Sequence, residues 1–345
     1  MRRNPSDGTA EWRKVGLWLR ATILTAAFLS AVPPFRLSAQ EVPLNAGALF
    51  LVFPIGAHAV GMGQTAVGAD GRGEAAFWNP AGLATLEVNE FSLHSATLAA
   101  GRANAIGAYF PSRGTGVVGG AVYLVDYGDL ERTDSSGSTI ARIAPRNFEF
   151  LASYATTLNG SFAFGLSYKL VAFRVDCGGD CRDFPTGQGS THALDLGAQL
   201  RVGTGGPLRL GLAVRNLGFK LQVQNRPQAD ALPTRLAIGA QYHVLLPGRD
   251  GAPLAERFDL IVAADVDSPW RQAGQSEMRL GMDVGYQRVL RLRAGYAFVQ
   301  EGLTGPSVGV GLENGSIGVD LARTFLTGSD LLVENPTFFS FRVTF

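Results

Sequence analysis

Four histidines, His58, His94, His192 and His243, and two cysteines, Cys177 and Cys181, are the side chains whose types most often carry catalysis or hold metals. Their spacing argues against catalysis. No His-x-x-x-His pair is present, and no histidine stands beside a serine or cysteine in a recognisable nucleophile motif. His192 falls at a strand end on an otherwise apolar face, which suits a membrane interface. Cys177 and Cys181 bracket a Gly-Gly-Asp triplet in "DCGGDCRDF". In an exported protein that spacing reads as a disulfide staple. The alternative, a metal site, would draw on Asp176, Asp180 and Asp183, which offer few ligands. Gly61, Gly63 and Gly68 depart from the Gly-x-Gly-x-x-Gly spacing of a phosphate loop, and no Lys-Ser/Thr follows them, so they read as flexible backbone. No carboxylate pair stands out. Neither a cofactor, a metal nor a catalytic step is expected.

The elements around these residues are strands. In "PLRLGLAVR", Leu208, Leu210, Leu212 and Val214 face one way and Arg209, Gly211, Ala213 and Arg215 the other. "EMRLGMDVGYQ" and "LRLRAGYAF" repeat the pattern, as does "THALDLGAQLR". Side chains alternate faces along a strand, so each segment has one oily face and one small or polar face. These segments run about 9–11 residues, the length a tilted strand needs to cross a bilayer. About 14 such segments follow Glu90, an even number as in bacterial single-chain barrels. Asp195, Arg209, Arg215, Asp259, Asp265, Glu277, Arg279, Asp283, Arg291, Arg293 and Arg342 mostly share the polar face. Mixed signs there predict an ion-paired, plugged interior, since a selectivity filter would want a ring of one sign.

Composition agrees. Of 345 residues, 17% are charged, 46% are apolar and 44 are glycine, and the formal net charge is +1. That balance, with no basic stripe interleaved with aromatics, excludes nucleic acid as a partner. Arg2, Arg3, Arg13, Lys14 and Arg20 lie before or early in the apolar run "VGLWLRATILTAAFLSAV", and "RLSAQE" follows. This order describes a secretory signal over residues 1–39, with cleavage after Ala39. The competing reading, an anchor helix, is shortened by Arg20 and by Pro33-Pro34. An exported, glycine-rich chain of mean hydropathy +0.12 without long apolar helices fits an outer-membrane β-barrel.

The connections are a second test. Links after the second, fourth, sixth, tenth and twelfth strands are short, and most of those after odd-numbered strands are long, as for periplasmic turns and external loops. "LLPGRDGAPLAE" and "QEGLT" break the rule. The organisation read is therefore a signal (1–39), an N-terminal hatch with a short helix (40–89) and an all-β, antiparallel transmembrane barrel of about 14 strands (90–345). Its partners would be outer-membrane lipid and the barrel-assembly machinery. The final strand, with Phe339, Phe341, Val343 and Phe345 on one face, resembles the C-terminal signal that this machinery reads.

The hatch holds the sequence's one strong helix start. In "GEAAFWNPAGLATL", Asn79 caps, Pro80 takes the first position, and Ala81 and Gly82 follow. With the Gly-rich "VGMGQTAVGADGRG" before it, this stretch resembles the hatch of FadL-like outer-membrane barrels, and within them the PorV/PorQ family. The hairpins "LDLGAQLRV…LRLGLAVRNLG" and "LRAGYAF…GPSVGVGL" are also similar to that family. The resemblance implies two functions. PorV/PorQ proteins serve type IX secretion, so the links Asp126–Arg146, Arg174–Ser190 and Phe219–Pro233 would bind cargo, translocon or attachment complex. FadL-like transporters pass a hydrophobic ligand through a kink in the third strand, and Gly119-Gly120 would supply that kink. A third possibility is a passive envelope scaffold presenting loop aromatics such as Trp270 and Phe184.

Overall fold

Fourteen strands close into a cylinder in the computed structural model, which describes residues 47–99, 101–181, 187–203, 205–221, 230–244, 258–270, 275–299, 304–325 and 335–345. The amino-terminal unit Met1–Leu44, which includes the signal assigned to residues 1–39, lies outside the described residues, as does Phe184. The strands are β1 (Glu90–Leu98), β2 (Gly101–Ser112), β3 (Gly116–Asp126), β4 (Leu130–Thr133), β5 (Thr139–Thr157), β6 (Phe162–Gly179), β7 (Gly187–Val202) and β8 (Leu208–Gly218). They continue as β9 (Arg235–Val244), β10 (Phe258–Pro269), β11 (Glu277–Tyr286), β12 (Leu290–Phe298), β13 (Gly305–Asn314), β14 (Ile317–Thr324) and β15 (Thr337–Thr344). Every pairing is antiparallel between neighbours, β1 pairs with β15, and β3 pairs directly with β5. The short β4 is a fifteenth strand that hydrogen-bonds to β5 alone. Closure matters because hydrocarbon offers no partner to a free strand edge.

The pleat sorts the side chains as the alternation predicts. Ile106, Val118, Val122, Leu212, Leu292 and Leu312 point outward and are exposed. A soluble surface would not carry so continuous an apolar band, whereas lipid requires one. The charged residues singled out above point inward, where most are buried or half-buried. No helix among the described residues is long and apolar enough to cross a membrane, so the crossing elements are strands.

Strands β5, β6 and β7 run for 19, 18 and 16 residues, well beyond a bilayer crossing. Much of what composition marks as external loop, in Asp126–Arg146 and Arg174–Ser190, is therefore ladder. Above the rim, backbone groups pair across strands whatever their side chains, and charges neutralise one another, as Arg142 does with Glu131 at 3.1 Å. Cys177 lies in β6 opposite Ile143 and not in a loop; it forms a disulfide with Cys181, Cα atoms 6.2 Å apart.

Residues 47–89 fill the cylinder. They form three 3-10 turns (Leu49–Val52, Gly73–Phe77 and Pro80–Thr85) and one short α-helix, α1 (Ala57–Gly61). The capped segment at Asn79 is thus a 3-10 turn, closed by Gly82 N–H to Asn79 O at 2.9 Å and Leu86 N–H to Leu83 O at 2.9 Å. The hatch starts near the long-link rim, where Gly47 N–H donates to Ala231 O at 2.8 Å, and ends at the other rim, where Phe345 N–H donates to Asn89 O at 3.0 Å.

Candidate functional site

The hatch is held to one side of the lumen by backbone contact. Asn79, fully buried, accepts from Ala81 N at 3.1 Å and donates through Nδ2 to Val67 O at 2.7 Å and to Ala198 O of β7 at 3.3 Å. Its turn rests on Gly165 and Gly197, which face each other across β6 and β7. A Cβ at Gly197 would overlap Asn79 Oδ1, and one at Gly165 would overlap the Pro80 backbone. The arrangement recurs twice. Gly211 and Gly239 pair across β8 and β9 beneath Val67, and Gly281 and Gly295 pair across β11 and β12 beneath Met62 and Gly63. Wall glycines let hatch backbone approach at a distance no other residue permits.

Charges fasten the same side. Asp265 of β10 accepts from Ala66 N at 2.8 Å and Val67 N at 2.9 Å. Asp70 pairs with Arg209 at 2.6 Å, and Arg72 pairs with Glu313 and Asp320. Gly63 N–H donates to Ser307 Oγ at 3.0 Å. In the wall, Arg215, Arg235 and Arg279 surround Asp267, and Asp283 lies between Arg291 and Arg293. Lys169 joins Glu149 (3.2 Å) and Asp195 (2.8 Å). The signs alternate, so among the described residues the lumen carries no single-sign ring to select an ion.

The opposite side is different. Lumen-facing residues of β2 are Ala103, Ala105, Gly107 and Tyr109, and those of β3 are Val117, Gly119, Ala121, Tyr123 and Val125. None carries charge. Against them lie the hatch's apolar side chains: Phe50 stacks on Tyr123 with centroids 6.0 Å apart, and Phe77 meets Tyr123 edge-on at 6.5 Å.

Gly119 and Gly120 do not kink the wall. Gly119 pairs with Tyr109 on β2 and Ser153 on β5, and Gly120 with Ala108 and Ala152, with no break in register. A Cβ at Gly119 would overlap the Tyr109 ring, so this glycine seats a fully buried tyrosine and opens no lateral gap. The irregular stretch of the cylinder is in β8 instead. The register with β7 shifts there, and Asn216, at φ 58°, donates its N–H to Asp195 Oδ1 at 2.7 Å.

His94 and Ser340, 246 residues apart, are hydrogen-bonded at 2.8 Å, a pair no local motif could reveal. Ser340 Oγ also accepts from Ala57 N at 2.8 Å, and hatch and wall bury both residues. Among the described residues no carboxylate is hydrogen-bonded to His94 to orient it as the third member of a triad would. His192 faces outward against Tyr168, and His243 contacts Arg209 at 3.0 Å. Among the described residues no cluster could hold a metal. In the hatch, burial raises the Glu74 carboxyl to about 7 despite the Ala59 N–H it accepts at 2.8 Å, and burial with nearby arginines lowers His58 well below its usual value. Phe339, Phe341 and Val343 pair with Ser95, Leu93 and Phe91 on β1, and Phe345 is exposed at the rim.

No protein-family model matches the chain, and no curated protein does. Solved structures do. The Ralstonia pickettii toluene transporter TbuX is similar at TM-score 0.56 and 14% identity, over 84% of this chain and 98% of that one. The P. putida toluene transporter TodX is similar at 0.57 and 13%, over 84% and 98%. The monoaromatic hydrocarbon channel CymD is similar at 0.58 and 13%, over 84% and 97%. At such identities the likeness is one of fold. The chain is a closed, multi-pass antiparallel β-barrel with the architecture of these three solved structures.

Proposed function

We propose that the protein passes a small hydrophobic compound across the outer membrane. The observation that carries this reading is the two-sided lumen. A water-filled pore would be polar all round, whereas here β2 and β3 present an uncharged wall to an aromatic hatch face. Similarity of fold to proteins named for toluene and monoaromatic hydrocarbons supports the same reading. Uptake of radiolabelled toluene should be faster in cells carrying the protein than in cells carrying an empty vector. Equal rates with and without the protein would overturn the reading.

A second reading follows the PorV/PorQ resemblance: capture of secreted cargo, translocon or attachment complex at the cell surface. One observation favours it. Strands β4 to β7 rise above the rim as a sheet, with Cys177–Cys181 closing the chain at the end of β6, and offer a platform for a partner. Replacing residues 127–145 by a short turn should then abolish co-purification of secreted proteins. Unchanged capture would dismiss it.

A further inference from the structure

We propose that ligand leaves this barrel downward, into the periplasm, along the seam between the hatch and β1 to β3, and not sideways through the wall. The inference rests on the transport reading above.

Three observations converge on the seam. The side exit is closed, because the ladders β2–β3 and β3–β5 are continuous through Gly119 and Gly120. The hatch is fixed unevenly. Glycine pairs, Asp265, Arg209, Glu313 and Asp320 hold it to β6 through β14, whereas its polar ties to β1 to β3 amount, among the described residues, to Gly73 N–H on Glu90 at 2.8 Å. Along the seam, Ser92 Oγ, His94 Nε2, Tyr109 OH and Tyr123 OH are buried without hydrogen-bond partners. Buried atoms without partners also occur on the fastened side, at Asp265, Arg279 and Thr324, so the four show that the seam can take in water and do not by themselves set it apart.

Space along the seam is unequal at its two ends. Under the low rim formed by the β1–β2 hairpin, a cavity of about 10 Å³ sits between Ile55 and Gly56 of the hatch and Ala103, Ala105, Tyr123 and Phe338 of the wall. That is room for about one water, so ligand must part the two surfaces. Below, where the hatch leaves the barrel, a groove of about 600 Å³ is bounded by Leu86, Val88, Pro111, Ser112, Arg113 and Phe345. A second cavity of about 230 Å³ shares Leu86, Pro111 and Ser112 with it. The larger groove, open to solvent, falls within the size range of small-molecule sites. Apolar contacts are non-directional and yield without breaking an ion pair, so the β2–β3 face is the one along which the hatch can move.

The test blocks the groove. Val88 is half exposed and the described native cysteines are both in a disulfide, so Val88→Cys can be labelled by a bulky maleimide. Val289→Cys, on the β11–β12 turn across the barrel, is the control. Labelling Val88→Cys should slow toluene uptake at least fivefold, while labelling Val289→Cys should leave it unchanged. Ala105→Phe, which narrows the upper seam, should slow uptake to a similar extent with the barrel still running as a folded, heat-modifiable band. Complete labelling of Val88→Cys with undiminished uptake would overturn the seam and leave the transport reading standing. Absence of uptake by the unmodified protein would overturn both.

Discussion

Gly197 shows what a single hydrogen atom in place of a side chain does in this barrel. It faces Gly165 across the ladder, and a Cβ there would strike the Asn79 side chain that holds two hatch segments and β7 together. Gly197→Val should therefore displace the 79–85 turn at a cost of about 1–3 kcal/mol or more. Limited proteolysis would report it as cleavage between residues 62 and 85 in a barrel that still migrates as folded. Glu74 acts through its proton. Its carboxyl is raised from 4.5 to about 7, so the native hatch binds a proton more tightly than the unfolded chain. The stability it contributes is full below about pH 4.5 and is lost as pH rises through about 7. After correction for the intrinsic rise of exchange with pH, the protection of the Ala57–Gly61 amides should fall across that window, and Glu74→Gln should remove the dependence. A flat profile in the unmodified protein would contradict this assignment.

At the scale of elements, the barrel divides into strands cut to the bilayer and strands that overshoot it. Period-2 alternation locates both, because a strand buried against lipid on one face and hatch on the other must alternate. It does not mark where membrane ends and water begins in β5 and β6, since Thr139, Arg142, Arg174 and Asp176 read as loop by composition yet pair in the ladder. The disulfide sits in this overshoot, away from the lipid-facing band and the hatch. Replacing Cys177 and Cys181 together by serine should leave the melting temperature of the barrel within a few degrees, although closing so short a loop contributes about 2 kcal/mol locally. Protease cleavage near residues 174–187 should become faster. A large drop in barrel stability would mean the protruding sheet and the cylinder unfold as one unit.

Across the whole molecule, the hatch decides what the cylinder transmits. With glycine saddles and ion pairs on one side and packed aromatics on the other, the cavities left between hatch and wall beside Tyr123 and beside Lys169 hold about 10 Å³ each. Planar-bilayer recordings should show no steady conductance for the intact protein and a large one once residues 47–85 are deleted. Steady conductance from the intact protein would show that the plug is not seated as described.

The amino-acid sequence by itself determined the number of crossing strands, the face each side chain takes and the presence of a capped turn ahead of them. All three are local periodicities or local backbone preferences, written within a few consecutive residues. The Arg and Asp residues of the inner face were legible for the same reason. Only the tertiary structure decided which of them meet, because Asp265 reaches Ala66 across 199 residues and Ser340 reaches Ala57 across 283. It also decided that Gly119 seats Tyr109 and leaves the wall intact, and that the uncharged strands β2 and β3 stand against the aromatic face of the hatch. A glycine in a sequence can mean a bend, a bulge or a contact. The choice among them depends on what the closed sheet brings opposite it, and closure is a property of the whole ring of strands.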